Sequence, residues 1–307
     1  MTLITIAIIG SESEAHDQQK LWSKVKNVQV IATVPITEAA QGLSDEQLSA
    51  LLLEDIDVID VCVSVDQKIE LIRTFAREGL SIITSSPLAK RADEASAFIH
   101  ECKEKNVRIY NRNHLRFSPE YIHAKNEVSN GSLGKLGVNR LSVNMPHPGN
   151  GQDIFFNLGI YQFEWLVEAF GRVKRVMAKH VKKESVGQAP VEYSLITLRL
   201  EDDSFVHVEL RWLGTELRSS FELTGDSGML TYDSKQAQPI QFKRYSSSED
   251  VGSVGVEGAQ VKELESFVNH VDSYSAADSI HALQVAEAAK QSALTGKAVE
   301  LKEGGIK

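Results

Sequence analysis

The chain has 307 residues, of which 42% are hydrophobic, 24% are charged and 7% are aromatic. This composition is that of an ordinary globular protein and excludes disordered, collagen-like and disulfide-scaffold classes. Lysine and arginine total 33 against 42 aspartates and glutamates, and the formal net charge of −9 disfavours nucleic acid and anionic membranes as partners.

Three further features bear on compartment and metal binding. No apolar run reaches the roughly 18 residues needed to span a bilayer. Cys62 and Cys102 form no CxxC pair, so the sequence supports neither a zinc site nor a disulfide framework. The first ten residues lack the basic start and cleavage site of a signal peptide. We therefore expect a cytoplasmic protein.

Strands and helices alternate over the first part of the chain. Apolar strands are predicted at Leu3–Ile9, Val28–Val34, Val58–Val65, Ser81–Thr84 and Val107–Asn111. The segments between them have helical patterns, and one opens with the capping-box sequence Ser44-Asp-Glu-Gln47. This alternation predicts βαβ units, and hence an α/β domain with a parallel, doubly wound sheet over residues 1–118.

After Pro119 the pattern becomes α+β, which predicts a second domain over residues 119–307. Helices are predicted around Ile122–Val128 and Phe163–Phe170, with a strand at Leu141–Asn144 between them. Consecutive strands with turn residues between them predict a mostly antiparallel sheet: Ser194–Leu200, Phe205–Trp212, Ser220–Thr224 and Met229–Tyr232. The polar, Ser/Gly-rich residues 233–260 are predicted to form a long loop or an edge excursion, followed by two helices along Val261–Val271 and Ile280–Leu294.

Seven short motifs stand in an order and spacing typical of one family: Asp57–Ser64, Ser86–Ala89, Arg116–Pro119, Gly131–Gly134, Asn157–Gly159, Gly225–Gly228 and Ala288–Ala293. Through them the chain resembles the glucose–fructose oxidoreductase/inositol dehydrogenase (Gfo/Idh/MocA) family over essentially its whole length. The resemblance implies an N-terminal Rossmann-type domain and a C-terminal α/β domain whose open sheet joins subunits of a homo-oligomer. It also implies hydride transfer between NAD or NADP and a small sugar- or polyol-like substrate.

The turn after the first strand departs from the family's glycine-rich phosphate-binding pattern. Gly10 is present, but Glu12 stands where a second glycine lets the backbone approach a diphosphate. Ser11 and Glu14 have the spacing of a capping box, which satisfies the first amides of the helix. The residues favour a self-capped structural helix, and an altered but usable nucleotide site is the alternative.

By resemblance, the cofactor-binding positions are Gly10, Ser11, Ser64 and Pro87. The second strand ends in Ala32–Ile36, which contains no acid to accept a hydrogen bond from a ribose hydroxyl. It also contains no basic residue that indicates a preference for NADP. The cofactor, NAD or NADP, is therefore implied by the resemblance alone.

Three positions correspond to the family's catalytic groups. Ser86 replaces the lysine of a Glu-Lys-Pro tripeptide, Asn157 replaces an aspartate and Tyr161 replaces a histidine. Removing a proton from an alcohol requires a base whose pKa is near neutrality. A serine without an adjacent base and an amide do not meet this requirement, and a tyrosine needs a neighbouring cation to do so. We therefore predict a degraded hydride-transfer site at these three positions.

Polar residues follow the last strand of the first domain, at the edge where open α/β sheets bind ligands. His114 and Arg116 are the predicted substrate contacts, although an ion pair between domains is an equal alternative for Arg116. His114 and His147 lack metal-ligand spacing and are interpreted as surface or cleft residues. Three functions stay open: a divergent oxidoreductase, a non-catalytic sugar-ligand sensor or partner subunit, and a reductase that uses solvent protons.

Overall fold

The structure is a computed structural model that describes residues 3–36, 43–149, 151–185, 188–236, 240–244, 255–269, 276–302 and 305–306. The chain divides by its contacts into two compact units. The first comprises Met1–Phe117 with Gly255–Ile280, and the second comprises Ser118–Val254 with His281–Lys307. No helix in the described ranges is both long enough and apolar enough to cross a membrane.

The first unit contains a five-stranded parallel sheet in the order β2-β1-β3-β4-β5. Its strands are β1 Ile4–Gly10, β2 Val28–Pro35, β3 Val58–Cys62, β4 Ser81–Ser85 and β5 Ile109–Arg112. Its helices before β5 are α1 Glu12–Trp22, α2 Asp45–Leu52, α3 Val65–Arg77 and α4 Ala92–Glu104. A 3₁₀ helix, His114–Phe117, follows β5. The predicted Rossmann-type sheet is confirmed.

A helix from late in the chain completes the first unit. A buried cluster joins Ile6 and Ile8 of β1 to Trp22 of α1 and to Leu264 and Phe267. The last two belong to α7, Gly255–Val268. The predicted division at residue 118 placed this segment in the second domain. The structure places it in the first because its apolar stripe is buried against the first sheet.

The second unit contains a nine-stranded sheet in the order β12-β11-β10-β6-β9-β8-β7-β13-β14. Its strands are β6 Val138–Met145, β7 Val173–Ser185, β8 Gln188–Leu200, β9 Phe205–Trp212, β10 Arg218–Thr224, β11 Gly228–Asp233, β12 Ile240–Arg244, β13 Val299–Lys302 and β14 Gly305–Ile306. β6 and β9 are parallel, and the other neighbouring strands in this order are antiparallel. The remaining helices are α5 Pro119–Ser129, the π-helical turn Phe155–Gly159, α6 Ile160–Phe170 and α8 Ala276–Thr295. The predicted mostly antiparallel sheet is confirmed.

Four strands of this sheet were not predicted: β7, β12, β13 and β14. β7 is rich in basic residues and has no continuous apolar run, yet Val176 and Ala178 alternate onto its buried face. β12 lies inside the segment 233–260 that was predicted as a loop, and it pairs antiparallel with β11. Of the two alternatives for this segment, the edge excursion applies to Ile240–Arg244, because pairing with β11 at the edge of the sheet satisfies the backbone of these residues.

Candidate functional site

Gly10 ends β1 in close contact with the neighbouring strand. It is paired with Cys62 of β3, and a Cβ atom at Gly10 would lie 2.5 Å from the Cys62 carbonyl oxygen. The glycine is therefore required by strand packing at this position. Its presence does not by itself indicate a site for a diphosphate.

The predicted capping box forms at the N-terminus of α1, where the side chains of Ser11 and Glu14 each accept a hydrogen bond from the other residue's backbone N–H. The Ser11 Oγ donates to Glu14 Oε2 at 2.6 Å and accepts from the Glu14 backbone N–H at 3.3 Å. The Ser11 backbone N–H donates to the same carboxylate at 3.4 Å. Glu12 adds a second, exposed acid in the first turn. These residues do not fit a diphosphate held in the usual way, because acids take the place of open amides.

The remaining predicted cofactor contacts lie at the carboxyl ends of β3 and β4. Ser64 is exposed at the start of α3 and directs its Oγ to Gln67 Oε1 at 3.2 Å, so its side chain does not cap the helix. Pro87 is buried and follows Ser86 through a cis peptide bond. Both positions remain predictions as cofactor contacts.

A buried lysine contacts the loop that carries Ser86, the position at which the resemblance implies a catalytic lysine. Lys68 of α3 donates to the carbonyl oxygens of Ser85 and Pro87 at 2.5 and 2.7 Å. Asn111 Nδ2 donates to the Ser86 Oγ at 2.7 Å, which fixes the buried hydroxyl. The loop that carries Ser86 is therefore held by an amide and a cation.

An ionic network continues from this loop across the end of β3. Asp60 is fully buried, accepts from Trp22 Nε1 at 2.7 Å and pairs with Arg112 at 3.2 Å. Burial, followed by the charge of Asp60, raises the pKa of the Cys62 thiol far above its usual range. Burial lowers the pKa of Arg112, but the neighbouring acids outweigh this effect and raise it above the ordinary value. Arg112 is therefore a permanent cation and Cys62 a neutral thiol.

Glu263 of α7 contacts residues at the end of β5. Its Oε1 accepts from the Asn113 backbone N–H at 2.6 Å and from the Tyr110 hydroxyl at 3.3 Å. Burial raises the pKa of Glu263 to about 7, although Arg112 and Arg116 oppose the shift. Its charge therefore changes near neutral pH.

The two predicted substrate contacts occupy the 3₁₀ helix after β5. Burial lowers the pKa of His114 to about 4, so this half-buried imidazole is neutral at pH 7. Arg116 is buried, and its Nη1 donates to the Asn111 carbonyl oxygen at 3.2 Å. Arg116 therefore stabilises the end of β5, and ligand contact remains a prediction for both residues.

The other two predicted catalytic positions lie together in the second unit. Asn157 is in the π-helical turn, where its Oδ1 accepts from the Asp153 N–H at 2.8 Å. Tyr161 follows one turn later in α6, and both side chains are half-buried. Gly159 lets this turn lie on the sheet, since a Cβ there would lie 2.8 Å from both Leu210 and Phe163. The turn is thereby fixed over β9.

The second unit also contains a buried polar cluster. The Nε2 atoms of His147 and His180 lie 3.2 and 3.1 Å from the two carboxylate oxygens of Glu192. Burial opposes ionisation of Glu192, but hydrogen bonds from both histidines and from Lys182 lower its pKa. His147 is buried and not at the surface. Within the described ranges, no group of three or more His, Cys, Asp or Glu side chains is placed to hold a metal ion.

Comparison with known proteins gives a consistent result. The chain is 23% identical over 281 residues to myo-inositol 2-dehydrogenase of Thermotoga maritima, a match covering 82% of each chain. No family model matches the chain. The Gfo/Idh/MocA resemblance is confirmed.

Solved structures of low identity share the fold of this chain. An oxidoreductase from Agrobacterium radiobacter, in complex with NAD+, L-tartaric acid and magnesium, matches with a TM-score of 0.80 at 17% identity, covering 97% of this chain and 98% of that one. GenD2 from gentamicin A biosynthesis, in complex with NAD, matches with a TM-score of 0.82 at 14% identity, covering 99% and 97%. The fold shared with these structures extends over essentially the whole chain.

Sequence reasoning missed two buried ionisable residues of the first unit. Lys68 lies four residues before Ile72 and seven before Phe75, on the apolar face of α3. Glu263 lies four residues before Phe267, on the apolar face of α7. A charge within an apolar stripe is the signal that identifies such residues, since lysine and glutamate are rarely buried without a partner.

Proposed function

We propose that this chain is a divergent relative of NAD(P)-dependent oxidoreductases in which the usual lysine-dependent hydride-transfer site is degraded. We further propose that it binds a sugar- or polyol-like small molecule. The fold and the similarity to a myo-inositol dehydrogenase support the ligand class. Ser86, Asn157 and Tyr161, which stand in place of the family's catalytic groups, support the loss of the usual hydride-transfer reaction.

The self-capped start of α1 is the observation that carries this proposal. In the family pattern, amides at this helix end receive the cofactor's diphosphate. Here Ser11 and Glu14 satisfy one another, and Glu12 adds a second negative charge. When bound in related enzymes, NAD or NADP supplies the hydride acceptor, so weak binding at this turn removes the first requirement of the reaction.

The proton-transfer requirement is also unmet in its usual form. The Ser86 Oγ accepts a hydrogen bond from Asn111 at 2.7 Å, and a serine hydroxyl is not itself a base of near-neutral pKa. The Asn157 Oδ1 is engaged with the Asp153 backbone, and its amide has no proton to exchange near neutral pH. These residues can bind and orient hydroxyl groups, but they do not provide a base of near-neutral pKa.

A second candidate function is a working oxidoreductase with an altered site. The whole-length match to two structures solved with NAD favours it. Tyr161 is then the candidate acid, provided that a cation lowers its pKa. Robust oxidation of a polyol by the purified chain would establish this alternative in place of the first.

Titration of NADH and NADPH into the purified protein, followed by cofactor fluorescence, tests the proposal. We expect no saturable binding below millimolar concentration. In the double variant Glu12→Gly/Ser86→Lys, removal of one negative charge and addition of one positive charge should increase cofactor affinity about fivefold before any turnover appears. Asp45→Gly is the control, because Asp45 occupies the same position at the capped start of α2. Tight NADH binding by the unmodified chain would contradict the proposal.

We also propose a cytoplasmic homo-oligomer joined through the sheet of the second unit. Neither cysteine forms a disulfide, which suits a reducing compartment. The sheet has a groove of about 630 Å³ lined in part by Arg140, Glu209 and Arg211. The exposed apolar residues Val181 and Leu195 lie on neighbouring strands. Sedimentation should give a dimer or tetramer that Val181→Glu dissociates, whereas a monomeric parent would contradict this proposal.

A further inference from the structure

A buried carboxylate in the second unit receives hydrogen bonds from two histidines. Glu192 of β8 is 4% exposed, and the Nε2 atoms of His147 and His180 lie 3.2 and 3.1 Å from its two oxygens. Lys182 of β7 adds an ion pair with Glu192 at 3.4 Å. Burying charged groups is costly, and apolar residues of similar size would cover this part of the sheet at a lower cost. A fully paired polar cluster instead specifies one arrangement of the segments that it joins.

One carboxylate oxygen of Glu192 holds the residues that follow β6. The Gly149 backbone N–H donates to His147 Nδ1 at 3.0 Å, so this nitrogen carries no proton. The proton of the ring is then on Nε2, which donates to Glu192 Oε1. The His147 side chain is 3% exposed, and its ring packs against that of Trp212 with 4.8 Å between centroids. Glu192 therefore fixes the backbone at Gly149 through one imidazole.

The other carboxylate oxygen of Glu192 holds the π-helical turn. It contacts His180 Nε2, and the His180 ring packs edge-on against that of Phe155 with 5.7 Å between centroids. Phe155 is buried and is the first residue of the turn that carries Asn157. The Asp153 carboxylate accepts from the Phe155 N–H at 2.9 Å, which fixes the start of the turn. Glu192 thus constrains the chain both before the turn and at its first residue.

We propose that Glu192 is a positioning residue that holds the π-helical turn, through the two histidines, in the arrangement in which Asn157 donates to a hydroxyl group of a polyol. This assignment rests on the proposed function and names one contact and the residue that positions it. The Asn157 Oδ1 accepts from the Asp153 N–H at 2.8 Å, so the two Nδ2 N–H groups are the donors to the ligand. A shift of about 1 Å breaks a hydrogen bond, so a contact on this turn depends on how firmly the turn is held.

Calorimetric titration of the purified full chain with myo-inositol and with glucose, together with NMR of the Asn157 side-chain amide, tests the assignment. We expect the compound that binds to shift the Asn157 Nδ2 resonances in a saturable way. Glu192→Ala removes the acceptor for both histidines and should weaken the affinity about tenfold. Glu192→Gln keeps an acceptor and a similar shape, so it should restore the affinity to within about threefold of that of the parent chain.

A matched control and a local measurement separate positioning from a general loss of stability. Glu184→Ala is the control, because Glu184 is 76% exposed and pairs with the same Lys182 at 3.3 Å. This variant should bind with the affinity of the parent chain. In Glu192→Ala, the amides of Phe155–Gly159 should exchange their hydrogens faster than in the parent chain, whereas those of β10 should keep the parent rates. In Glu192→Gln, the exchange at the turn should return toward the parent rates.

Each contrary outcome has a distinct meaning. Parent affinity in Glu192→Ala, or an equal loss in Glu184→Ala, would overturn the positioning role and leave the proposed function standing. Binding that leaves the Asn157 resonances unshifted would overturn the contact on the turn in the same way. If circular dichroism shows that Glu192→Ala does not fold, His180→Ala takes its place and should weaken the affinity about threefold, since it removes one of the two hydrogen bonds. No binding of either compound would overturn the proposed function together with the assignment.

Discussion

In the first unit, β1 and β4 end at the same edge of the parallel sheet, but the side chains that contact the segments after these two strands carry opposite charges. At β1, the following helix starts with a serine cap and two acids. At β4, two strand spacings or about 10 Å away, a buried lysine holds the loop around Ser86. Both ends lie at the edge where α/β proteins bind ligands, and the side chains at the two ends carry opposite charges.

The largest expected effect comes from Asp60, which lies between the two ends. Asp60→Asn leaves Arg112 buried without its carboxylate, so the free energy of unfolding should fall by about 3–5 kcal/mol. Urea unfolding followed by circular dichroism measures the change. Asp66→Asn is the control, since Asp66 is exposed and its pair with Lys90 is worth under about 1 kcal/mol. Equal small losses in both variants would contradict a buried ionic network.

A substitution at Gly10 tests whether close packing against β3 requires a glycine at the end of β1. Gly10→Ala places a methyl group 2.5 Å from the Cys62 carbonyl oxygen and should lower the free energy of unfolding by about 1–3 kcal/mol. Gly137→Ala is the control, because the nearest atom to its added Cβ is 4.0 Å away. The same urea unfolding measurement applies. A stable Gly10→Ala protein would show that close strand packing does not require this glycine.

A substitution at Glu263 tests how this buried carboxylate changes the pH dependence of the free energy of unfolding. Its folded pKa of about 7 exceeds its ordinary value of 4.5, so the folded chain binds the proton more tightly than the unfolded chain. The free energy of unfolding should therefore fall as pH rises from about 4.5 to 7. Glu263→Gln should remove this fall and stabilise the protein by on the order of 3 kcal/mol at pH 8. An unchanged pH profile in this variant would assign the dependence elsewhere.

The smallest expected effect concerns the cap of α1. Ser11→Ala removes the acceptor for the Glu14 amide and should lower the free energy of unfolding by about 1 kcal/mol. Ser13→Ala, a change at an exposed neighbour that does not cap the helix, should alter it by less than about 0.5 kcal/mol. Thermal unfolding of the two variants side by side gives the difference. No loss in Ser11→Ala would mean that water satisfies these amides equally well.

Features that depend on neighbours in the chain were predictable from the sequence. The two capping boxes, at Ser11 with Glu14 and at Ser44 with Gln47, form as their spacing requires. The alternation of strands and helices likewise predicted the parallel sheet, and the turn-separated strands predicted the antiparallel one. β7 and β12 were missed because their strand character depends on pairing with neighbouring strands more than on their own apolar residues.

The sequence by itself determined the fold class, the self-capped start of α1 and the altered residues at 86, 157 and 161. Each follows from residue types at fixed short separations, which local hydrogen bonding or family spacing is enough to specify. Only the tertiary structure placed α7 with the first unit and brought Lys68 and Glu263 to the ends of β4 and β5. The contact between Glu263 and Asn113 joins residues 150 positions apart, and burial, which sets the pKa of Glu263, exists only once the chain has folded.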